Sequence, residues 1–323
     1  MNWTSLGRAV AAIVLACSAT AAWSQAFPSK PIRVIVPWPP GGGTDIFARS
    51  IGQKLTETWH QQVIVDNRPG ATGNIGAQLA TKAPADGYTL LLATITLATS
   101  PSLYKTLGYD PLRDLEPVTL IAGVPHLLVV HPSLPVKNVR ELIALAKARP
   151  GQLNYASAGI GSPFHLAAEL FNLLAGVKMT HVSYKGGGPA IVAVIGGEVP
   201  VTFANLLAVL PHVQAGKLRA LGITSATRSG AAPSLPTIAE SGLKGYDFTS
   251  WFGMLAPAGT PKDIVQKLNE GTVAVLKSRE LKERLTRDGA DLIASTSQQF
   301  GTYLKSETAK WDKVIKEAGI QAE

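Results

Sequence analysis

Twice in this chain a short apolar run ends in a glycine-rich loop and passes into a segment of helical period. That repeated unit limits the fold more than any other feature. The first copy is the β-branched run Lys30–Val36, then Pro37-Trp38-Pro39-Pro40-Gly41-Gly42-Gly43-Thr44-Asp45, then Phe47, Ile51 and Leu55 on one helix face. The second is Leu153–Ser157, then Ala158-Gly159-Ile160-Gly161-Ser162-Pro163, then Leu166, Leu170 and Leu174. Proline fixes φ and glycine frees it, so both loops are shaped turns. Thr44 or Asp45 is expected to cap the first helix, and Ser162 the second, with Pro163 at its first position.

The punctuation elsewhere follows the same grammar. Strands are expected at Thr89–Ala93, at Val182–Tyr184 before a third glycine run, at Val199–Ala204 ending in Asn205, at Leu218–Thr224 and at Trp251–Pro257. Helical period dominates between and after them, so the class is α/β with mainly parallel sheets. At 323 residues the chain suits two lobes better than one core.

The first 26 residues read as a leader: Arg8 as the positive region, an apolar run at 9–16, and Ser24-Gln25-Ala26 before a cut at Phe27. The apolar run is too short to span a bilayer. Cys17 is the only cysteine. A cut before Phe27 therefore leaves no thiol for a disulfide or a metal site, whereas acylation at Cys17 would make a lipid anchor instead. The formal charge of +8 is scattered, without a basic run or basic–aromatic interleaving, so nucleic acid is not an expected partner.

Dinucleotide, P-loop, nucleophile-elbow and zinc-protease motifs are all missing, and no histidine pairs with a second ligand type at metal spacing. No cofactor, metal or catalytic residue is expected. His126 and His131 flank a strand and read as structural. His165 opens the second helix, where it could brace the loop or border a pocket.

The loops carry the positive signal. Ligands of open α/β sheets bind beyond the carboxyl ends of the strands, where helix N-termini offer free N–H groups. Neither 37–45 nor 157–165 contains a Lys or Arg, so an anion there would be held by backbone and hydroxyl donors. The candidate ligand residues are Trp38, Pro40, Gly42, Gly43, Thr44 and Asp45 in the first loop, and Ser157, Ala158, Gly159, Ser162 and His165 in the second. Thr94, Thr96 and Asn205, at strand ends, complete the set. Asp45 either caps its own helix or meets a cationic or amide group of the ligand.

Across the mature chain the sequence resembles the substrate-binding receptors of tripartite tricarboxylate transporters, also called Bug receptors. The resemblance rests on PWPPGGGTD at 37–45, NRPGATGNIGA at 67–77, ADGYTLLLAT at 85–94, YASAGIGSPFHLAAELF at 155–171, YKGGGPAI at 184–191 and the long stretch 235–265. It implies a type II periplasmic-binding-protein fold, two Rossmann-like lobes closing on a small organic acid gripped by the two loops. It also implies that the segment Thr94–Thr99 shapes the specificity side, with Ile95 and Leu97 as a less polar wall. Ser183 stands where the family often has proline, and Ala204 where an acid is frequent.

The expected protein is a periplasmic, monomeric receptor for a mono- or dicarboxylate that serves a membrane permease. Its lobes are expected at 27–124 with 247–323, and at 125–246. A sensor working through a kinase, and a hydrolase or transferase using the cleft, are the alternatives.

Overall fold

The computed structural model describes residues 27–318. The expected leader, with Arg8, Cys17 and the cut after Ala26, lies outside the described residues.

Strand β1 (Ile32–Val36) lies between β2 (Val63–Asn67) and β3 (Thr89–Thr94), parallel to both. A strand covered on both faces reads as near-continuous apolar sequence, and IRVIV does so except at Arg33, which is half-buried and paired with Asp66. Helix α1 (Gly43–Trp59) carries the chain from β1 to β2, with Phe47, Ile51 and Leu55 buried. Each such side chain contributes roughly 1.5–3 kcal/mol on full burial, enough to hold the helix on the sheet. After a 3₁₀ turn (Ala71–Gly73) come α2 (Asn74–Thr81) and, beyond β3, α3 (Thr96–Leu103).

Strand β4 (Leu115–Val130) is the longest and changes partner part-way. From Leu115 to Pro125 it pairs antiparallel with β9 (Thr249–Pro257), which also lies against β3. From His126 to Val130 it pairs with β7 (Val201–Asn205), and from Leu127 with β8 (Arg219–Ile223). The exchange falls at Pro125, a residue with no N–H to give a ladder. His126 therefore lies inside the strand and does not flank it, whereas His131 follows its end.

Around β7 the second strand–loop–helix unit builds a like arrangement. After α4 (Val139–Ala148), β5 (Asn154–Ser157) runs parallel to β6 (Thr180–Ser183) and to β7. Helices α5 (Pro163–Ala175), α6 (Gly187–Ile195) and α7 (Leu206–Gln214) follow β5, β6 and β7. The chain then passes through β8 and back along β9 to α8 (Lys262–Lys277), α9 (Arg279–Arg287), the short β10 (Asp291–Leu292) and α10 (Ser297–Ala318).

The class is α/β as read, and the sheet is mixed, in the order β2-β1-β3-β9-β4-β7-β5-β6. Pairs between strands joined by helices are parallel, as expected. Every antiparallel ladder involves β4 or β9, the strands that run between the two groups.

Candidate functional site

The N-termini of α1, α5, α6 and α7 converge on one deep cavity of about 40 Å³. Gly42, Gly43 and Thr44 reach it from α1, Pro163 and Phe164 from α5, Gly187 from α6, and Asn205 from the residue before α7. Thr94 reaches it from the end of β3. Helix N-termini present free N–H groups and about half a positive charge each, so the space favours an anion. Its lining contains no Lys, Arg, Asp or Glu.

A second observation marks the same space. Among the described residues, eight buried side-chain polar atoms find no hydrogen-bond partner in the protein, and six of them belong to cavity-lining residues. They are Trp38 Nε1, both ring nitrogens of His126, both amide atoms of Asn205, and Ser250 Oγ. Leaving a buried donor or acceptor unpaired costs about 1–3 kcal/mol. Such a cluster, in a space above the ~10–15 Å³ that one water needs, is built to bind something polar.

The first loop is braced from behind. Gly42, not Thr44 or Asp45, is the N-cap of α1, and it makes no side-chain cap bond. Asp45 lies in the first turn and accepts from Gly41 N (3.1 Å), Arg49 Nε (3.0 Å) and Asn67 Nδ2 (3.0 Å). Burial would raise its pKa, but these hydrogen bonds outweigh it and hold the carboxyl below its ordinary value. Asn67 Nδ2 also donates to the carbonyl of Trp38 (2.9 Å), which holds the backbone of the loop at the residue whose indole lines the cavity. Asp45 is thus fully engaged in holding the loop.

The second loop rests on a buried cluster. Ser162 caps α5 as expected, accepting from His165 N. His165 Nδ1 accepts from Gly161 N (3.2 Å), so the ring braces the loop and does not line the cavity. Its neighbour is His181, with ring centroids 4.4 Å apart. Burial lowers the pKa of His165 to about 4; burial, then the His165 charge, lowers that of His181 to about 4. Ser157 Oγ accepts from Gly159 N (3.0 Å) and lies against His181 Nε2. This serine–histidine contact is fully buried at Ser157 and opens on neither cavity. It staples a turn.

Outside the deep cavity lies a crevice of about 570 Å³, which shares Trp38 and Ala158 with it and is bordered by Gly159, Tyr104, Tyr184 and Lys185. The two strand groups touch along its edge. Thr72 Oγ1 donates to the carbonyl of Ile160 (3.0 Å). Gly186, at φ +128°, leaves room for Pro39, since a Cβ there would stand 2.6 Å from the proline ring.

Of the residues singled out from sequence, Trp38, Gly42, Gly43, Thr44, Thr94, Ala158 and Asn205 meet at the deep cavity, and Gly159 borders the crevice. Asp45, Thr96, Ser157, Ser162 and His165 stand behind the walls, and Pro40 lies beside Gly188 across the crevice edge. The expected apolar wall from Thr94–Thr99 is not there. Thr96 begins a helix, and Ile95 and Leu97 are packed in the core with Leu103 and Leu128. His126, Pro163, Phe164, Gly187, Ser250 and Phe252 were missed as lining residues. A histidine amid VPHLLVV reads as structural, and Ser250 precedes the expected start of its strand.

The model of the tripartite tricarboxylate transporter family receptor matches residues 47–320. The chain belongs to this receptor family. The receptor is 40% identical to protein BugT of Bordetella pertussis over 99% of each chain. It is 42% identical to an R. palustris protein solved with adipate, at a TM-score of 0.89 over 91% of this chain and 99% of that one. MatC from Rhodopseudomonas palustris, with bound malate, is 31% identical, at a TM-score of 0.85 over 90% of this chain and 100% of that one. The resemblance read from the glycine loops is therefore a family membership, and the family is one of substrate-binding receptors.

Proposed function

We propose that this receptor binds a small mono- or dicarboxylate in the periplasm and hands it to the membrane subunits of a tripartite tricarboxylate transporter. The carrying observation is the deep cavity, where unpartnered Trp38, His126, Asn205 and Ser250 atoms meet several helix N-termini. Adipate and malate, named with two relatives, belong to the same ligand class. The lobes, 27–124 with 247–323 and 125–246, would close by a hinge on the strands that run between them. The leader would direct export and be removed before Phe27, and the mature receptor would act as a monomer. With Ser157 enclosed and no other nucleophile–base pair at the cavity, the receptor would bind without chemistry.

The test is calorimetry with a series of dicarboxylates and their monomethyl and dimethyl esters, with NMR of the ligand recovered afterwards. Tight binding of a free acid, loss of affinity for its dimethyl ester, and unchanged recovered ligand are expected. Full affinity for the diester would remove the carboxylate from the recognition, and a hydrolysed product would make the protein an enzyme.

A further inference from the structure

The deep cavity favours an anion, yet none of its walls carries a formal positive charge. Its lining holds one group able to gain such a charge near neutral pH, the imidazole of His126. The backbone of His126 is fixed in β4, where its N–H donates to Thr224 Oγ1 (2.7 Å). The ring plane is nearly perpendicular to those of two phenyl rings, Phe164 at 5.4 Å and Phe248 at 5.2 Å between centroids. Both ring nitrogens are without a partner in the protein. An imidazole held by aromatic rings alone, with two unused polar atoms, is placed for a partner that enters from the cavity.

The charged groups on the elements packed around the ring are engaged elsewhere. On α5, His165 is bound to Gly161 N, and Glu169 accepts from the Tyr155 hydroxyl and from Asn172 Nδ2. Beside Phe248, Asp247 accepts from Ala226 N. On α1, Asp45 is held by Arg49 and Asn67. On β8, Arg219 donates to the carbonyls of Leu134 and Val136. The segments of β3, β7, β9 and α6 contribute no charged residue.

We propose that His126 is the counter-ion of the cavity: it takes a proton from solvent as the ligand's carboxylate enters, so the receptor binds anion and proton together. One N–H bond forms on the ring, the proton comes from the buffer, and the buried pair is neutral overall. Burial alone lowers the pKa of this ring to about 3, so without an anion the imidazole is neutral at pH 7. An adjacent carboxylate reverses that balance, because an opposite charge in a dry site favours the charged form. The inference rests on the carboxylate-receptor reading above.

Thermal-shift measurements with succinate, malate, glutarate and adipate select the probe, the member that stabilises the receptor most. If none stabilises it, the carboxylate reading falls and this inference with it. Calorimetry with that probe, in phosphate and in Tris near neutral pH, counts the protons taken up. About one proton per ligand is expected, with affinity falling up to about tenfold per unit of rising pH. His126→Gln, which keeps a polar side chain without a titrating ring, is expected to bind with no uptake and a flat profile. Tight binding by the wild type with no uptake overturns the inference and leaves the receptor reading intact. Uptake that persists in His126→Gln also overturns it. Should the variant fail to fold, NMR of the ring nitrogens in the wild-type complex decides: two protonated nitrogens on His126 support the proposal, and one overturns it.

Discussion

Gly43 and Asn205 face each other across the deep cavity so closely that a Cβ on Gly43 would stand 3.0 Å from Asn205 Oδ1. The same atom would lie 3.1 Å from Phe252 Cζ. Gly43 is the first residue of α1, so space and not a left-handed backbone calls for glycine here. Gly43→Val is expected to push Asn205 away from the N-terminus of α1 and to weaken ligand binding at least about 100-fold, on the order of 2.7 kcal/mol. Melting without ligand should also fall, since Asn205 and Phe252 must give way, but by less than binding does. Lys185→Ala, on the rim of the crevice, should mainly slow association and lessen its salt dependence. Calorimetry and stopped-flow binding on both variants check this; normal affinity in Gly43→Val would mean that binding does not need the close approach of Gly43 to Asn205.

Asn205 separates the needs of binding from those of folding. It precedes α7 but makes no side-chain cap bond, and both of its amide atoms lack a partner. Asn205→Leu removes a buried unsatisfied amide while keeping its branched shape and number of heavy atoms. Ligand-free stability should rise by on the order of 1 kcal/mol, while binding is lost. Urea denaturation paired with a ligand titration gives both numbers. Lower stability with binding retained would show that the amide serves the fold.

Local order was open to reading in the sequence because it is set by neighbours along the chain. IRVIV before the prolines and glycines, and Ser162-Pro163 before α5, specify a strand, a turn and a capped helix with no help from distant residues. The cavity residues at strand ends, Thr94 and Asn205, were legible for the same reason. What escaped is set by packing. Thr96–Leu103 resembles a loop because Pro101 sits within it, yet it is a buried helix. His126 gave no signal because a lone histidine in an apolar run is ordinarily a satisfied core residue. Only the exchange of partners along β4 places it opposite Asn205, at the cavity. Asp45 was ambiguous since its three donors come from the loop, the helix and β2.

Thr72 supplies a clasp between the two strand groups. Its hydroxyl donates to the carbonyl of Ile160 at the edge of the crevice. Thr72→Val keeps the β-branched shape at a residue with φ +54°, and removes only the hydrogen bond. A net loss of about 0.5–1.5 kcal/mol should appear as dissociation about two- to tenfold faster. Association should be unchanged, because the bond forms only as the groups meet. Surface plasmon resonance separates the two rates, and an effect confined to association would contradict the clasp.

The adjoining pair His165 and His181 gives the fold a defined dependence on pH. Burial drives the pKa of each ring to about 4, and at His181 the neighbouring His165 adds to it. In the unfolded chain a histidine titrates near about 6.5. Between those values the unfolded chain binds more protons than the folded one, so stability rises with pH. The contribution is fully present above about pH 6.5 and is lost as pH falls toward 4. Melting temperature should therefore decline as pH is lowered through that window. His181→Phe keeps a ring beside His165 while removing one titrating group, and Ser157 retains its bond to Gly159 N. The variant should be somewhat less stable at neutral pH but show a shallower decline on acidification. Melting curves recorded at half-unit steps of pH check this, and a slope equal to that of the wild type would show that His181 takes no part in it.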